Sequence, residues 1–576
     1  MKNSRRTFPL SNKPFNPLSS SSFHLFTFSP FYLLPLKSLL LFYLLLFSCQ
    51  PKPIENYLNV VPEPVEITAF AGEFLLNNTT KVAFENINTR DVSALFITNG
   101  FEKYFGIRPT FILPEKCKNN AVLFTLNETP DALLGEEGYR LDVSKKKIKI
   151  EANSNAGLVH AFITLYQLNN DTTSTKSVKI PCVKIVDYPR FEWRGVHLDV
   201  SRHFFDVNFV KKYIDVLALY KFNVFHWHLT DDHGWRIEMD KYPKLTEIGA
   251  WRPERPDSEW RTPQPNKPDE KMTYGGFYTK DEIREVVAYA AARGVNVMPE
   301  IELPGHCSEI LASYPEFACD NYPYRVEVGA YWPPKAIMCA GNPKVMQFYK
   351  DVFDEIIPLF PFEYMHIGGD EALKGNWEKC PKCLAKAKEL NLDNLEQLQG
   401  WMVREIESYL NAKGKKMAGW IEIIDGDCNN TSLIYAWLGK ERTMKAIERG
   451  NPIVQCPTSY CYIDYYQADK STQPEAIGGF VPLGKVYSFE PVYEELTEEQ
   501  AKQIMGVQFN LWAEFLFTSK QVEYMLLPRI LAGAEVAWCK PENKDWERFK
   551  TALPFQKLRL KTLGYHYCDD VVEAPE

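Results

Sequence analysis

Tyr364-Met365-His366-Ile367-Gly368-Gly369-Asp370-Glu371 packs a strand, a bend and two adjacent carboxylates into eight residues. The apolar run from Tyr364 to Ile367 reads as a buried strand. In a regular strand neighbouring side chains point to opposite faces, so Asp370 and Glu371 would diverge. Two glycines let the backbone bend, and both acids can then reach one pocket. A pair of carboxylates with different protonation is the usual equipment for cleaving a glycosidic bond. For Asp-Glu alone the plainer reading is a polar loop at the end of a core strand. The surrounding sequence decides between the two.

The same pattern, an apolar run ending in polar residues, recurs along the chain. Strands are expected at Arg194–Val200, Asn223–Leu229, Val295–Ile301, Tyr364–Gly368, Lys416–Ile421, Ser432–Trp437, Pro452–Pro457 and Val507–Leu511. Apolar helical stretches lie between most of them. The clearest runs from Thr279 to Arg293, with a Thr279/Glu282 capping box, a face of Ile283, Val286, Val287 and Ala290, and Gly294 as its stop. Eight strands alternating with helices predict a (β/α)8 TIM barrel. Upstream, Tyr139-Arg140-Leu141-Asp142-Val143 and Ile148-Lys149-Ile150-Glu151-Ala152 form a hairpin pattern, and Ala156 to Leu168 has helical spacing. A small α+β accessory domain is therefore expected before the barrel. The expected boundaries are 1–49 for a targeting region, 50–187 for the accessory domain, 188–545 for the barrel and 546–576 for a C-terminal helix and tail.

A chain of 576 residues with 45% hydrophobic content can bury two substantial cores. Its net charge of −8 argues against nucleic-acid binding. Near the N-terminus, Lys37 precedes an apolar run from Ser38 to Phe47, followed by Ser48-Cys49. The run is short for a membrane span and resembles a bacterial lipoprotein signal, with Cys49 as the lipidated residue. The body of the protein is expected outside the cytoplasm, tied to the envelope through that anchor. Of 13 cysteines, Cys319 and Cys339 bracket a short loop and could form a disulfide. Cys380-Pro381-Lys382-Cys383 has the spacing of half a zinc knuckle. With no second CxxC and no His pair nearby, it reads as a local disulfide or free thiols rather than a metal site.

Function in a barrel gathers at the C-terminal strand ends. There the sequence sets Asp199 and Arg202, then His226, His228, Asp231 and Asp232, then Glu300, Glu302 and His306, then His366, Asp370 and Glu371. Trp420, Trp437, Tyr462, Asp464, Trp512 and Glu514 complete the ring. Acids, one Arg and several Trp suit a neutral polyol. Their blander counterparts are structural ion pairs for Arg202 and core packing for Trp420 or Trp437. His226, His228 and His366 read as packed, hydrogen-bonded supports.

These segments together resemble glycoside hydrolase family 20, the β-N-acetylhexosaminidases. The resemblance is carried by Trp193-Arg194-Gly195, by Asp199-Val200-Ser201-Arg202-His203-Phe204, and by Asn223 through Asp232 with its His226-Trp227-His228 core. Pro299-Glu300-Ile301-Glu302-Leu303-Pro304-Gly305-His306 and the His366–Glu371 signature complete it. It runs from about Pro189 to Trp538 and more weakly over the N-terminal domain. Glu302 stands where many members have Asp, and the longer acid is expected to orient His306 all the same.

The resemblance implies a retaining, substrate-assisted hydrolase in which the substrate's 2-acetamido oxygen attacks the anomeric carbon. It implies no metal and no cofactor. Asp370 would orient the acetamido group and stabilise an oxazolinium intermediate. Glu371 would protonate the leaving oxygen and later activate water, which calls for a pKa above that of a free Glu. Tyr462 would bind the acetamido oxygen, and Trp420, Trp437 and Trp512 would wall the pocket. Arg202 and Glu514 would hold the sugar hydroxyls, while Asp231 and His306 would support the site. Asp464 would help hold Asp370 or the acetamide.

Two rival readings remain. A metal-dependent amidohydrolase would use His226 and His228, yet the one histidine after His366 is His566, so it lacks ligands on later strands. A non-catalytic glycan-binding lipoprotein would keep the Trp residues and lose the acids, and both acids are present.

Overall fold

The computed structural model describes residues 58–170, 177–262, 267, 269–329 and 335–570. The lipid-anchor expectation at Cys49 lies outside the described residues. Among those residues no helix is long and apolar enough to cross a membrane.

The first domain is a seven-stranded mixed sheet with two helices. Its spatial order is Glu66–Asn77, Ser177–Asp187, Tyr139–Val143, Lys147–Ala152, Ala121–Leu126, Lys81–Glu85 and Thr110–Phe111. The expected hairpin forms, with Tyr139 opposite Ala152 and Val143 opposite Ile148 in antiparallel register. Alternation explains it, because Tyr139, Leu141 and Val143 point inward while Arg140 and Asp142 stay partly exposed. The helix Asn155–Gln167 starts at Ser154, whose hydroxyl accepts from the Ala156 and Gly157 N–H groups. Nearly every residue of that helix is buried.

A buried polar cluster joins this domain to the next. Asp187, at the end of the sheet, accepts from Lys221 Nζ at 2.7 Å, Tyr139 Oη at 2.7 Å and Trp538 Nε1 at 2.8 Å. Lys221 and Trp538 belong to the barrel domain. Arg194 on the first barrel strand donates to Glu137 of the hairpin domain at 2.8 Å.

The barrel is closed and wholly parallel. Its strands are Trp193–Asp199, Val224–His228, Asn296–Glu300, Tyr364–His366, Lys416–Trp420, Leu433–Ala436, Ile453–Gln455 and Ile504–Phe509. All eight expected strands form, most within a residue or two of the expected ends. The largest shift is in the eighth, which begins at Ile504 rather than Val507. Gly506 reads as a boundary in sequence, but it sits inside the strand because the backbone passes close to the first strand there. A Cβ on Gly506 would lie 1.8 Å from the Trp193 carbonyl oxygen. The pairing of Gly506 with Trp193 through Phe509 with Val196 closes the barrel. The helix Lys280–Ala291 carries the complete Thr279/Glu282 capping box and buries Ile283, Val286 and Ala290. A 17-residue helix, Trp546–Thr562, follows the barrel. From it Gln556 and Arg559 reach back to Gln167 of the first domain.

The cysteine expectation needs correcting. Cys319 and Cys339 are not bonded to each other, and neither lies in a disulfide. Cys319 Sγ lies 3.6 Å from Cys383 Sγ, and Cys339 Sγ lies 3.7 Å from Cys380 Sγ and 3.6 Å from Cys383 Sγ. Folding brings the bracketing pair onto the CxxC pair, across more than forty residues that a local reading of the sequence does not span.

Candidate active site

At the end of the fourth barrel strand the backbone turns twice through the left-handed region, at Gly368 with φ 65° and Gly369 with φ 99°. A Cβ on Gly368 would meet Glu302 Oε2 at 1.9 Å, and one on Gly369 would meet Ile423 Cγ2 at 2.4 Å. Only glycine fits either place. Glu371 itself has φ 45°. The result is the expected one: Asp370 and Glu371 line one cavity of about 400 Å³ at the C-terminal mouth of the barrel.

The same cavity is lined by Arg202, His306, Trp420, Trp437, Tyr462, Asp464, Trp512 and Glu514. Asp231, expected to support the site, does not itself line the cavity. It lies buried beneath, where it accepts from Arg202 at 2.8 Å, from His228 at 2.9 Å and from His306 at 3.2 Å.

His306 joins the two acids. Its Nε2 lies 3.7 Å from Asp370 Oδ2 and 3.5 Å from Glu371 Oε2. On its other side Nδ1 faces Asp231 Oδ1 at 3.2 Å and Asp232 Oδ2 at 3.1 Å. Burial alone would push the imidazole pKa down, but Asp231 and Asp370 hold it well above its ordinary value. Asp370 shows the converse. Burial raises its carboxyl well above the usual carboxylate range, against the pull of His306, and Glu422 and Glu371 add to the rise.

Glu302 does not orient His306 as expected. Among the described residues neither of its carboxylate oxygens has a hydrogen-bond partner. Its carboxylate lies against Gly368, and Asp231 and Asp232 together face His306 Nδ1. Burial and the neighbouring Asp370 hold Glu302 well above the ordinary carboxylate range. Asp232 is fixed in turn by the Ser308 N–H at 3.0 Å and the Ser308 hydroxyl.

Below the cavity one buried carboxylate organises the barrel interior. Glu300 accepts from Trp420 Nε1 at 2.7 Å, and its oxygens lie 2.8 Å from His366 Nδ1 and 3.1 Å from His226 Nε2, with His228 in contact as well. Burial opposes ionisation there, yet His366, His228 and His226 hold Glu300 well below its usual range. These three histidines are therefore supports for Glu300, as their packed positions predict. Trp420, anchored by its indole N–H, forms the floor.

The walls are aromatic and acidic. The Trp420 and Trp512 rings are 5.7 Å apart, and Trp437 stacks on Tyr462 at 6.1 Å. Trp437 Nε1 donates to Glu422 at 3.0 Å. Arg202 bonds Asp199 at 3.0 Å, faces Glu514 at 3.8 Å and lies over Trp512 at 5.1 Å. Asp464 belongs to this side. It lines the same cavity as Asp370 and Tyr462, and Glu514 adds to the rise that burial gives its pKa. Several buried polar atoms of these lining residues have no hydrogen-bond partner among the described residues: Asp370 Oδ1, Asp464 Oδ1, Glu514 Oε2 and Trp512 Nε1. Buried polar groups are rarely left unpaired without a reason, and here they line one space.

Some residues of the site escaped sequence reading. Glu422 lines no strand end in the expected list, because the fifth strand runs straight into a short helical turn, Ile421–Gly426. Burial raises its pKa to about 7. Arg261, Tyr465 and Phe515 line the outer mouth. Arg261 comes from the long insertion after the second strand, where no periodicity marks it.

Comparison with known proteins agrees with this geometry. Residues 191–541 match the catalytic domain of glycosyl hydrolase family 20, and residues 57–188 match its domain 2. A β-hexosaminidase of Porphyromonas gingivalis is 34% identical over 90% of this chain, which spans 65% of that protein's length. A β-hexosaminidase of Vibrio furnissii is 35% identical over 83% of this chain and 76% of its own. The crystal structure of the exo-β-N-acetylglucosaminidase of Vibrio harveyi in complex with N-acetylglucosamine superposes with a TM-score of 0.79 at 33% identity, over 91% of this chain and 80% of that one. With its two acids in one barrel-mouth cavity and both family domains matched in order, the chain belongs to glycosyl hydrolase family 20.

Proposed function

We propose that the protein is an exo-acting β-N-acetylhexosaminidase. It removes terminal, non-reducing β-linked N-acetylglucosamine or N-acetylgalactosamine from oligosaccharides and glycoconjugates, with retention of configuration. One observation carries the reading: two adjacent carboxylates enter a single cavity and share His306, at 3.7 and 3.5 Å. The β-hexosaminidase names of its relatives support it.

In this reading the substrate's acetamido oxygen attacks the anomeric carbon while the bond to the leaving oxygen breaks. Glu371 gives its proton to that oxygen. The partnerless Oδ1 of Asp370 accepts from the acetamido N–H, and its charge steadies the oxazolinium ring. Water then attacks the same carbon, Glu371 takes its proton, and the ring opens. Tyr462 donates to the acetamido oxygen, and Trp420, Trp437 and Trp512 enclose the methyl and the sugar face. Arg202, Asp464 and Glu514 hold the hydroxyls on the far side.

Release of nitrophenol from its β-N-acetylglucosaminide tests the activity. The N-trifluoroacetyl analogue tests the mechanism, because electron withdrawal weakens the attacking oxygen and should slow turnover severely. Normal turnover of that analogue, with a glycosyl ester trapped on an Asp or Glu, would sink the substrate-assisted reading. Export and lipidation at Cys49 form a separate part of the proposal. Palmitate labelling that disappears in Cys49→Ala, with hydrolysis unchanged, is the expected result, and unlabelled wild-type protein counts against it.

A further inference from the structure

Cys319, Cys339, Cys380 and Cys383 bring four sulfurs within 4.8 Å of one another, far from the cavity's acids in chemistry and unused by the mechanism above. We infer that these four thiols form a structural tetrahedral site for a zinc ion, tying together the two loops that carry the catalytic groups.

The spacing fits the ion. Four sulfurs about 2.3 Å from a central zinc at tetrahedral angles lie about 3.8 Å from one another. Three of the separations here are 3.6, 3.6 and 3.7 Å. Two disulfides would give each sulfur one partner. Instead Cys339 faces both Cys380 and Cys383, and Cys383 faces both Cys339 and Cys319. Three of the four residues are buried and Cys319 is partly exposed.

The backbone around the sulfurs is built for close approach. Cys380 is the N-cap of the helix Pro381–Glu389, and Cys383 lies in its first turn, where the helix dipole favours thiolate. Against this turn lies Gly341, two residues after Cys339. A Cβ at Gly341 would sit 2.1 Å from the Lys382 carbonyl carbon and 2.5 Å from the Cys383 nitrogen. Only glycine lets the Cys339 segment press this closely on the CxxC turn. Lys379 and Lys382 flank the turn in sequence, and a zinc with four thiolates carries two net negative charges.

The consequence for the active site follows from connectivity. The Met338 N–H donates to the Pro304 carbonyl at 2.9 Å, two residues before His306. Trp377, between Glu371 and Cys380, donates its indole N–H to the Met338 carbonyl at 2.8 Å. The cluster thus anchors the loop after the third strand, which supplies His306, to the loop after the fourth, which supplies Asp370 and Glu371. Binding exchanges four thiol protons, released to solvent, for four sulfur–metal bonds, with no change in oxidation state.

Elemental analysis of the full chain, purified without chelator, tests this directly. One zinc per chain is expected, released when an organomercurial blocks the thiols and absent from Cys380→Ser. Cobalt(II) in place of zinc should give the absorption of a tetrahedral thiolate site, a signature that does not depend on a variant folding. Metal-free protein overturns the inference, whether its thiols are free or its intact mass shows the hydrogens lost to two disulfides. So does zinc that survives Cys380→Ser, or cobalt(II) bands without thiolate charge transfer. Activity is a secondary readout: loss of zinc should lower kcat more than it raises KM, because it loosens His306 and the acids rather than the sugar-binding wall.

Discussion

A carboxamide at position 371 keeps the shape of the acid and has no proton to give. Glu371→Gln should therefore slow cleavage of natural oligosaccharides by roughly 10²–10⁴-fold, the range of general acid–base catalysis. The loss should shrink for aryl glycosides, whose leaving groups need little protonation. Asp370→Asn should slow both substrate types alike, since it acts on the oxazolinium side. Comparing kcat/KM for the two substrate types in each variant checks the division of labour. Protonation of Asp370 sets the acid limb. Its carboxyl is held above the usual range by burial and must be ionised to work, so the rate should rise with pH through that raised value. His306 is the cation that opposes the rise. His306→Asn should move the acid limb of kcat/KM to higher pH, and an unmoved limb would remove Asp370 from its assigned role. Glu302 gives the contrasting case. Neither of its oxygens meets a hydrogen-bond partner among the described residues, so Glu302→Gln should change kcat by only a few-fold, whereas Asp232→Asn should weaken the hold on His306 and cost considerably more.

At the scale of elements, the glycines at the strand ends matter as much as the acids they present. Gly368→Ala places a methyl within 1.9 Å of Glu302 Oε2 at a φ of 65°. The loop must shift to relieve it, and a shift of even an ångström at a catalytic pair is costly. Activity should fall at least 10²-fold while the circular dichroism of the barrel is retained. Near-normal activity would mean that the bend is not what sets the acids in the cavity. Elements are also where sequence reading succeeds and fails for identifiable reasons. The eight barrel strands were legible because each is a short apolar run between turn residues and is buried on both faces. Asp370 and Glu371 were legible because they are adjacent. Glu422 was not, because its strand continues into a helical turn and breaks the period. The four cysteines read in sequence as two unrelated pairs, since their meeting depends on two separate loops folding together. Asp232 is legible at the second strand end, but nothing in its spacing shows that it and Asp231 both reach His306.

For the whole molecule, the polar cluster around Asp187 bonds the two domains to each other and should make them unfold as one unit. Lys221 and Asp187 are both fully buried, and removing one partner of such a pair costs about 3–5 kcal/mol. Lys221→Met should destabilise toward the lower end of that range, because Tyr139 and Trp538 still bond Asp187. Thermal unfolding of the wild type should show one transition rather than two, and a barrel expressed without residues 50–187 should be insoluble. Two separate transitions would show that the Asp187 cluster does not couple the domains.

The floor of the cavity has a kinetic meaning. Trp420 is sealed against Glu300, and the barrel beneath is packed with His226, His366 and Tyr435, all buried. A polymer cannot thread through such a site or slide along it. Each cut traps a freed monosaccharide at a dead end, and it can leave only by the way it came, after the shortened chain has withdrawn. On a long substrate the enzyme must let go after every bond. A time course should therefore show every intermediate chain length in solution, and it should slow as free sugar accumulates and competes for the same blind end.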